Sequence, residues 1–453
     1  MSGDPVDRFS GADNAWRQMG RIENLTSITG MLAFEDPIDY ETVERRLERR
    51  LLRFDRFTQR VGGRKRSWRR PFWEDSPGFD IETHLSHVAL PEPQDKAAFE
   101  RFVGDLMSQP LDERRPLWHA YLVEGVGDGN ALVVRINHSV ADGFALLYVL
   151  LGLADDPESI ELPIGSVPTP PAVDDAGGPR TEYETGETPT AGEQRSKLPS
   201  PLEAARAVSD AVTTAWELLT LEPEPDTSLR GELRTPKRAA WTDDLDLERV
   251  KAIGRAHDAT INDVMLAATA GGFRRVLESR GEPVEDLELR CSVPVNLKSL
   301  EDRTESLGNY FGLVFVPLPV GESDLDERIR IINERMDQRK AGFEAFLVYL
   351  TFTVGGFLPD RAQDWLLEQF EDQATAVVTN VPGPTEPFEF AGSEVSDILF
   401  WAPEANDQGL SLSIFSYDGG IRVGVAADAG LLEQPTDLSD ALETEIGELT
   451  PTE

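Results

Sequence analysis

The stretch Asn137-His138-Ser139-Val140-Ala141-Asp142-Gly143 separates two apolar runs of different length and composition. The run before it, residues 131–136, is short and valine-rich, which is typical of a buried strand. The run after it, residues 144–154, is longer and rich in leucine and alanine, which favours a helix. His138 is therefore predicted to lie in a tight loop after a strand, where imidazole is suited to proton transfer near neutral pH. Asp142 is expected to brace that loop through an ion pair or a helix cap.

Further short motifs flank this stretch in a fixed order. Upstream stand Phe79-Asp80, the pair His84 and His87, Pro110-Leu111-Asp112 and Pro116-Leu117-Trp118. Downstream stand Asn262-Asp263, Pro294-Val295-Asn296-Leu297-Lys298, Gly308-Asn309 and Thr379-Asn380-Val381-Pro382-Gly383-Pro384. Because H-x-x-x-D-G alone occurs by chance in many proteins, the order of the motifs matters more than any one of them. Two histidines three residues apart also allow a metal site, but no third ligand is near in sequence, so no metal is expected.

The heptapeptide resembles the HHxxxDG motif of the acyl-CoA-dependent acyltransferase superfamily, with Asn137 in place of the first histidine. The order of the other motifs is similar to that of the wax ester synthase/diacylglycerol acyltransferase branch. Asn296 and Lys298 stand where that branch has serine and arginine. The resemblance implies an α/β (α+β) fold of two chloramphenicol-acetyltransferase-like domains. Each domain is expected to hold a mixed sheet flanked by helices, with an active-site tunnel at the interface.

The resemblance also implies roles for the residues of the heptapeptide. His138 is the expected general base, and Asp142 is expected to be structural, paired with a cation of the second half, either Arg290 or Lys298. Alternatively, Asp142 only caps the helix that follows it. Gly143 is expected to allow close approach of substrate or backbone.

Three asparagines and one further aspartate complete the set of candidate site residues. Asn137 either hydrogen-bonds the loop or the substrate, or is an ordinary turn residue. Asn262 and Asp263 either cap a helix or support the active site, as the corresponding motif does in the family. Asn380 helps to shape the site by resemblance only.

Composition divides the chain into three parts. Residues 155–200 are rich in Pro, Gly, Thr, Glu and Asp and poor in aromatic residues, which predicts a linker that is partly disordered. It separates an N-terminal domain, residues 1–154, from a C-terminal domain, residues 201–453. Within the second domain, residues 325–339 are expected to form a charged, exposed helix, and residues 346–358 an apolar one.

The charge of the chain is strongly negative. It holds 82 acidic and 44 basic residues, a formal net charge of −38. With few lysines and acidic residues spread over the whole length, this predicts a halophilic protein whose self-repulsion is screened by concentrated salt. The same balance argues against nucleic acid as a partner. A local basic cluster in residues 60–70 is either a solvated loop or a landing site for anionic head groups or CoA phosphates.

The cellular location is predicted from the cysteine content, the N-terminal sequence and the length of the apolar runs. Cys291 is the only cysteine, so neither an intramolecular disulfide nor a cysteine metal cluster is expected. The N-terminus has no signal-peptide pattern, and no apolar run reaches the length of a membrane span. We therefore expect a soluble cytoplasmic protein, with peripheral contact to a membrane or lipid droplet left open.

Together these features predict an O-acyltransferase that moves a fatty acyl group from acyl-CoA to a long-chain alcohol or diacylglycerol. Acyl-CoA would be a substrate, and no cofactor is expected. One alternative is a related acyltransferase with another acceptor or a carrier-protein donor. The other is a non-catalytic lipid-binding protein on the same fold, an alternative suggested by Asn137 in place of the first histidine of the motif.

Overall fold

The computed structural model describes residues 7–63, 71–163, 165–166, 223–297, 307–340, 348–349, 353, 373–404 and 407–448. The α-helices with defined bounds are α1 (Gly11–Met19), α2 (Tyr40–Arg50), α3 (Lys96–Met107), α4 (Gly143–Leu151), α5 (Leu247–Ala256), α6 (Ile261–Ser279), α7 (Leu325–Lys340) and α8 (Thr436–Glu448). The strands are β1 (Ser27–Phe34), β2 (Gln59–Gly62), β3 (Phe72–Asp75), β4 (Leu85–Ala89), β5 (Trp118–Val126), β6 (Gly129–Asn137), β7 (Glu161–Leu162), β8 (Gly165–Ser166), β9 (Lys237–Trp241), β10 (Leu245–Asp246), β11 (Leu289–Asn296), β12 (Phe311–Leu318), β13 (Ala376–Pro382), β14 (Glu389–Phe390), β15 (Ser393–Trp401), β16 (Leu410–Tyr417) and β17 (Gly420–Asp428).

Two mixed sheets carry the fold. The first has six strands in the order β14-β15-β1-β6-β5-β4, and only the β4–β5 pair is parallel. The second has seven strands, ordered β10-β17-β16-β13-β11-β12, with β9 also paired to β17. In this sheet the β11–β13 and β13–β16 pairs are parallel. The predicted class, mixed sheets flanked by helices, is confirmed.

The second half of the chain contributes strands to the first sheet. β15 pairs antiparallel with β1, in a register that sets Trp401 opposite Thr29 and Leu399 opposite Met31. The short β14 pairs with β15 and completes the edge. The two halves are therefore joined through a continuous sheet, and residues 389–401 lie with the N-terminal half in space.

Both faces of the first sheet are covered by helices. On one face α2 and α4 pack Val43, Leu47 and Leu146 against the sheet. On the other face α3 packs Phe99 and Val103 against neighbouring strands. The sheet is therefore apolar on both sides, as expected for the buried valine-rich run that ends at the heptapeptide.

Helix α7 differs from its prediction. The sequence predicts a charged and exposed helix here, but Ile329 and Ile332 are fully buried in the core of the second sheet. Arg328 is also buried, because it pairs with Glu445 of α8 at 2.6 Å. The prediction of an exposed helix was wrong because the apolar face of α7 is narrow and most of its residues are charged.

Several predicted segments lie wholly or mostly outside the described residues: the basic cluster at 64–70, most of the 155–200 linker, and the apolar helix at 346–358. The start of the predicted linker is described. The carboxylate of Asp155 accepts hydrogen bonds from the backbone amides of Ala391 (3.1 Å) and Gly392 (2.8 Å). This anchors the beginning of the linker to the turn between β14 and β15, while the domain boundaries stay a prediction.

In the described part of the chain, no helix combines the length and apolar character needed to cross a membrane.

Candidate active site

His138 lies immediately after β6, in the loop that leads into α4. Its backbone amide donates to the carbonyl of Thr26 at 2.8 Å. The neighbouring Asn137 closes the loop, because its Oδ1 accepts from both the backbone amide (3.0 Å) and the hydroxyl (2.6 Å) of Ser139. Asn137 also donates from Nδ2 to the Thr26 hydroxyl at 3.3 Å. Asn137 was predicted either to hydrogen-bond the loop or the substrate, or to be an ordinary turn residue. These contacts show that it hydrogen-bonds the loop.

Asp142 caps α4 and also reaches the second half of the chain. Its Oδ1 accepts from the backbone amide of Ala145 at 2.9 Å, which confirms the helix cap. Its Oδ2 accepts from the backbone amide of Tyr310 at 3.0 Å. Of the two predicted cation partners, Arg290 forms an ion pair with Glu224 at 2.6 Å, and Lys298 lies outside the described residues.

The segment Gly308 to Tyr310 holds the heptapeptide at four points. Besides the Tyr310 contact, the amide of Asp142 donates to the carbonyl of Gly308 at 3.2 Å. The side chain of Asn309 makes the other two contacts, with Nδ1 of His138 (2.8 Å) and with the carbonyl of His138 (2.9 Å). The two halves of the chain therefore meet at His138, as the sequence predicts.

The contacts of Asn309 determine which nitrogen of His138 carries the proton. Its Nδ2 lies 2.8 Å from Oδ1 of Asp13 and 2.9 Å from the carbonyl of His138, and both of these atoms only accept. The amide NH₂ must therefore point at them, so Oδ1 of Asn309 points at Nδ1 of His138. An amide oxygen needs a donor, so the neutral ring carries its proton on Nδ1. Nε2 is then left with a free lone pair, which a general base requires.

Helix α1 packs against the imidazole and completes its support. The ring of Trp16 stacks on His138 with 4.0 Å between centroids and 12° between planes, and Phe311 of β12 lies 5.6 Å away. Asp13, which is buried, is approached by the guanidinium of Arg56 at 3.5 Å. A chain of contacts thus runs from Arg56 through Asp13 and Asn309 to the imidazole.

The sequence reading missed these supporting residues as part of the site. Trp16 stood in an opening segment of mixed composition, and Gly308-Asn309 was noted only as a motif. Asp13 carried no sequence signal, since it is one of 82 acidic residues. An asparagine that follows glycine just before a strand was the one available hint of a special role for Asn309.

Burial keeps His138 in the neutral form. The side chain is 6% exposed, and desolvation lowers its pKa. The negative charge of Asp142, the hydrogen bond from Asn309 and the charge of Asp13 oppose this shift. Because desolvation is the largest effect, the free base is the dominant form at neutral pH, ready to accept a proton.

Two cavities border the loop that holds His138, although His138 itself lines neither of them. An apolar cavity of about 40 Å³ is lined by Gly143 together with Gly30, Leu147, Val381 and Phe400. A wider polar cleft of about 210 Å³ is lined by Asn137, Thr26 and the two arginines of α1 and its end, Arg17 and Arg21. A Cβ atom added to Gly143 would meet no atom within 4 Å, so this glycine leaves open space at the start of α4.

None of the hydrogen bonds or ring contacts described for His138 involves the remaining predicted site residues, Asn262, Asp263 and Asn380. Asp263 forms a capping box with Thr260 at the start of α6, which confirms the capping interpretation. Asn262 is the second residue of the same helix. Asn380 lies in β13, next to Val381 of the apolar cavity, and its role stays a prediction.

His84 and His87, considered as a metal pair, have separate partners. His84 donates from Nδ1 to the carbonyl of Trp118 at 2.8 Å, and Nε2 of His87 lies 2.8 Å from a carboxylate oxygen of Glu124. Cys291 is buried in β11. Among the described residues, no group of three or more potential ligands is placed to hold a metal ion.

Comparison with known families places the chain. The model of the wax ester synthase/diacylglycerol acyltransferase catalytic domain matches residues 9–265, and the model of the C-terminal domain of the same enzymes matches residues 307–450. The chain belongs to the wax ester synthase/diacylglycerol acyltransferase family. It is an acyltransferase of this family, as its motifs predict.

Two mycobacterial relatives illustrate the similarity. A protein of Mycobacterium tuberculosis named as a diacylglycerol O-acyltransferase is 28% identical over 429 residues, which cover 93% of this chain and 91% of the relative. A second such protein of the same organism is 28% identical over 378 residues, which cover 79% and 78%. The match thus extends over both halves of the family fold.

Solved structures confirm the two-domain fold. The wax ester synthase/diacylglycerol acyltransferase from Marinobacter aquaeolei VT8 superposes with a TM-score of 0.68 at 20% identity, over 97% of this chain and 98% of that one. The first condensation domain of the calcium-dependent antibiotic synthetase gives a TM-score of 0.60 at 16% identity, over 99% and 96%. At these identities the likeness shows the fold alone.

Proposed function

We propose that the protein transfers a fatty acyl group from acyl-CoA to the hydroxyl of a long-chain alcohol or a diacylglycerol, with His138 as general base. The observation that carries this proposal is the tautomer of His138, which the Asn309 amide fixes with Nδ1 protonated and Nε2 free. The names of the relatives support a diacylglycerol acceptor, and the family supports an acyl-CoA donor.

The reaction needs one proton acceptor and no covalent acyl-enzyme. Nε2 of His138 takes the proton of the acceptor hydroxyl as its oxygen attacks the thioester carbon. The tetrahedral intermediate expels CoA thiolate, which takes the proton back from the imidazolium and leaves as the thiol. The new ester bond forms as the C–S bond breaks, so the enzyme ends each cycle in its starting protonation state.

Asn309, Asp13 and Asp142 act on this step through the imidazole. Asn309 fixes the ring, and the carboxylates of Asp13 and Asp142 both favour the imidazolium that forms during proton transfer. The stacked Trp16 blocks rotation of the ring out of plane. Each is therefore a positioning residue, while His138 is the proposed catalytic residue.

The apolar cavity beside Gly143 suits the acyl chain. Its walls come from α4 and from strands of both sheets, and all the side chains named above are hydrocarbon. Its volume of about 40 Å³ has room for only one or two methylene groups. A long chain must therefore push side chains such as Leu147 and Phe400 aside as it enters.

Substrate choice is tested by thiol release from a panel of acyl-CoA and alcohol pairs in molar KCl. The proposal predicts release that depends on both a long-chain acyl-CoA and a long-chain alcohol or diacylglycerol. Turnover only with other acceptors, or only with an acyl carrier protein as donor, would show that the proposed substrates are wrong. It would leave the role of His138 as general base unchanged. Binding of lipid without any turnover would contradict the proposal.

Peripheral contact with a membrane or lipid droplet is a further part of the proposal. It is supported by the water-insoluble nature of the proposed acceptor and by the basic cluster in the sequence at residues 60–70. Co-sedimentation with anionic and with neutral vesicles tests it. We expect binding to anionic vesicles only, and equal absence from both pellets would contradict it.

A further inference from the structure

A second polar cavity lies on the face of the first sheet that α3 covers. It has a volume of about 210 Å³, and the charged or titratable groups that line it are His84, Asp112, Arg115, His119, Tyr121 and Arg135. It shares Pro110 and Leu111 with the polar cleft that ends at Asn137. The acyl-transfer mechanism uses none of these groups.

Arg135 is the unusual residue of this cavity. It lies in β6 directly opposite His119 of β5, and it is 1% exposed. The guanidinium donates to the carbonyl of Gln109, just after the end of α3, and to the hydroxyl of Tyr121, but Nε has no hydrogen-bond partner. Among the described residues, no carboxylate lies within ion-pair distance of this guanidinium.

Three other buried arginines of the chain each pair with a carboxylate, which Arg135 lacks within the residues that the structure describes. Arg17 pairs with Glu113 at 3.2 Å, Arg290 with Glu224 at 2.6 Å, and Arg328 with Glu445 at 2.6 Å. A buried charge is costly unless a counter-charge or hydrogen bonds compensate it. The C-terminal end of α3 and the hydroxyl of Tyr121 supply only partial negative charge to Arg135. Its compensation is therefore incomplete without a further anion.

The rest of the cavity wall also lacks free negative charge. Arg115 stands at the rim with its side chain about half exposed, 4.0 Å from a carboxylate oxygen of Asp112. That carboxylate is already held by Arg114, which donates to both of its oxygens at 2.9 Å. Burial, His84 and the two arginines of the cavity lower the pKa of His119 to about 4, so the imidazole is neutral.

We propose that this cavity is an anion-binding site that takes a phosphate group, with Arg135 at its base and Arg115 at its rim. A guanidinium binds phosphate or carboxylate oxygens through paired N–H donors. Two guanidiniums at different depths, with neutral imidazoles between them, offer donors from more than one side. That arrangement suits the tetrahedral set of oxygens of a phosphate better than a planar carboxylate.

The proposed anion site lies near His138, but its existence does not require His138 to be the base. Arg135 lies three positions before His138 along an extended strand, a distance of about 10 Å. A phosphate held here belongs to the CoA donor, to a phosphorylated lipid, or to inorganic phosphate. The site itself stands whether or not His138 is the base.

Thermal shift and calorimetric titration test the proposal in KCl of constant ionic strength. The probes are inorganic phosphate, glycerol 3-phosphate, CoA and dephospho-CoA, the last of which lacks the 3′-phosphate. The wild type should be stabilised by at least one of them, since a ligand that binds only the folded state raises the melting temperature. Tighter binding of CoA than of dephospho-CoA assigns the site to the donor. Preference for glycerol 3-phosphate assigns it to a lipid, and preference for inorganic phosphate to the free ion.

Three variants separate the site from general charge effects. Arg135→Gln should abolish the stabilisation by the probe, and Arg115→Gln should weaken binding at least fivefold. Arg49→Gln, which removes an exposed arginine of α2 that lies outside the cavity, is the matched control and should bind as the wild type does. Without probe, Arg135→Gln should melt no lower than the wild type, because it removes an incompletely compensated buried charge.

Several outcomes would overturn the proposal. These are a wild type that binds none of the probes, an Arg135→Gln variant that binds them equally well, and an Arg135→Gln variant that is strongly destabilised without probe, since the guanidinium would then be structural. If that variant does not fold, unchanged binding by Arg115→Gln still refutes the two-arginine site.

Discussion

At the scale of single residues, the imidazole of His138 is oriented by an amide. Asn309 can play this part because the carboxylate of Asp13 and the carbonyl of His138 fix which way the amide faces. The orientation is thus set by two acceptor oxygens, one from each of these groups. Asn309 performs for His138 the task that a carboxylate performs in many histidine-dependent enzymes.

Replacement of Asn309 tests this orientation. In Asn309→Ala the ring loses the acceptor for Nδ1–H, so we expect kcat to fall by about 10²-fold, within the range attributed to a positioned general base. Because the Asn309 hydrogen bond raises the pKa of His138, its loss should also move the acidic limb of the kcat/KM profile to lower pH. KM for acyl-CoA should be unchanged.

Steady-state kinetics from pH 4 to 9 measure both effects. Asn333→Ala, which removes an exposed amide that donates to the carbonyl of Asp258, is the matched control. A variant Asn309→Ala with an unshifted acidic limb would show that the amide has only a structural role.

The sequence predicted the residues that act locally and missed those that act from a distance. His138 and Asp142 are separated by four positions, so loop, cap and helix could be read from one stretch. Asn309 is 171 positions from His138, and Asp13 lies 296 positions from Asn309. No periodicity or turn chemistry relates such residues, because only the packing of the two sheets brings them together.

At the scale of elements, the first turn of α4 leaves space for substrate. A Cβ at Gly143 meets no protein atom within 4 Å, so Gly143→Ala should fold normally and gain up to about 0.5 kcal/mol of helix stability. The added methyl group would, however, enter the apolar cavity that the proposal assigns to the acyl chain. We therefore expect a shift of preference toward shorter acyl-CoA.

Competition between acyl-CoA donors of different length measures the shift. Gly447→Ala is the matched control, since its Cβ also meets nothing within 4 Å and it lies in α8, away from the cavity. An unchanged chain-length preference in Gly143→Ala would show that the acyl chain does not pass this glycine.

Helix α3 buries a carboxyl group that makes stability depend on pH. Burial is the main cause that raises the pKa of Glu100, to about 7. In the unfolded chain this group ionises near its ordinary value of 4.5, so folding favours the protonated form. The contribution of Glu100 therefore lowers stability as pH rises from about 4.5 to 7, and the cost is complete above that window.

Glu100→Gln removes this cost. We expect the variant to be more stable than the wild type at pH 8, by up to the order of 3 kcal/mol, and at pH 5 by less than about 1 kcal/mol. Urea unfolding at the two pH values measures the difference, and the exposed Glu232→Gln is the control. A gain of the same size at both pH values would contradict the burial argument.

Most element positions followed from the sequence. The strand before the heptapeptide and the helix after it, predicted at 131–136 and 144–154, are β6 (Gly129–Asn137) and α4 (Gly143–Leu151). The turn between β16 and β17 has the Asp-Gly sequence that is typical of a tight hairpin, and Asp418 and Gly419 both have positive φ angles, 44° and 78°. Exposure was harder to predict than position, since α7 hides buried isoleucines among charged residues.

At the scale of the whole molecule, the sequence did not reveal that β14 and β15 join the first sheet. Their side chains alternate as they would in any half-buried strand, and the partner in the pairing is β1, more than 350 positions earlier. This exchange explains why the two halves need each other: Trp401 and Leu399 lie in the same apolar cluster as Val133 and Trp241.

The net charge of −38 predicts that the folded state needs salt. Repulsion between acidic side chains is screened over about 10 Å in 0.1 M salt and about 3 Å in 1 M. The melting temperature should therefore rise steadily between 0.1 and 2 M KCl, well beyond the change seen for a protein of balanced charge. Differential scanning fluorimetry measures it, and a melting temperature independent of salt would contradict the halophilic prediction.

The role of His138 as the base is tested by the variant His138→Ala. Thiol release from a long-chain acyl-CoA is measured with and without a long-chain alcohol, for the variant and the wild type, in the same molar KCl. We expect an alcohol-dependent rate at least about 10²-fold lower in the variant, with acyl-CoA binding nearly unchanged. The melting temperature should fall by several degrees, because the truncation leaves a cavity beside Trp16 and an unpaired amide oxygen on Asn309. An alcohol-dependent rate within threefold of the wild type would contradict the role of His138 as the base.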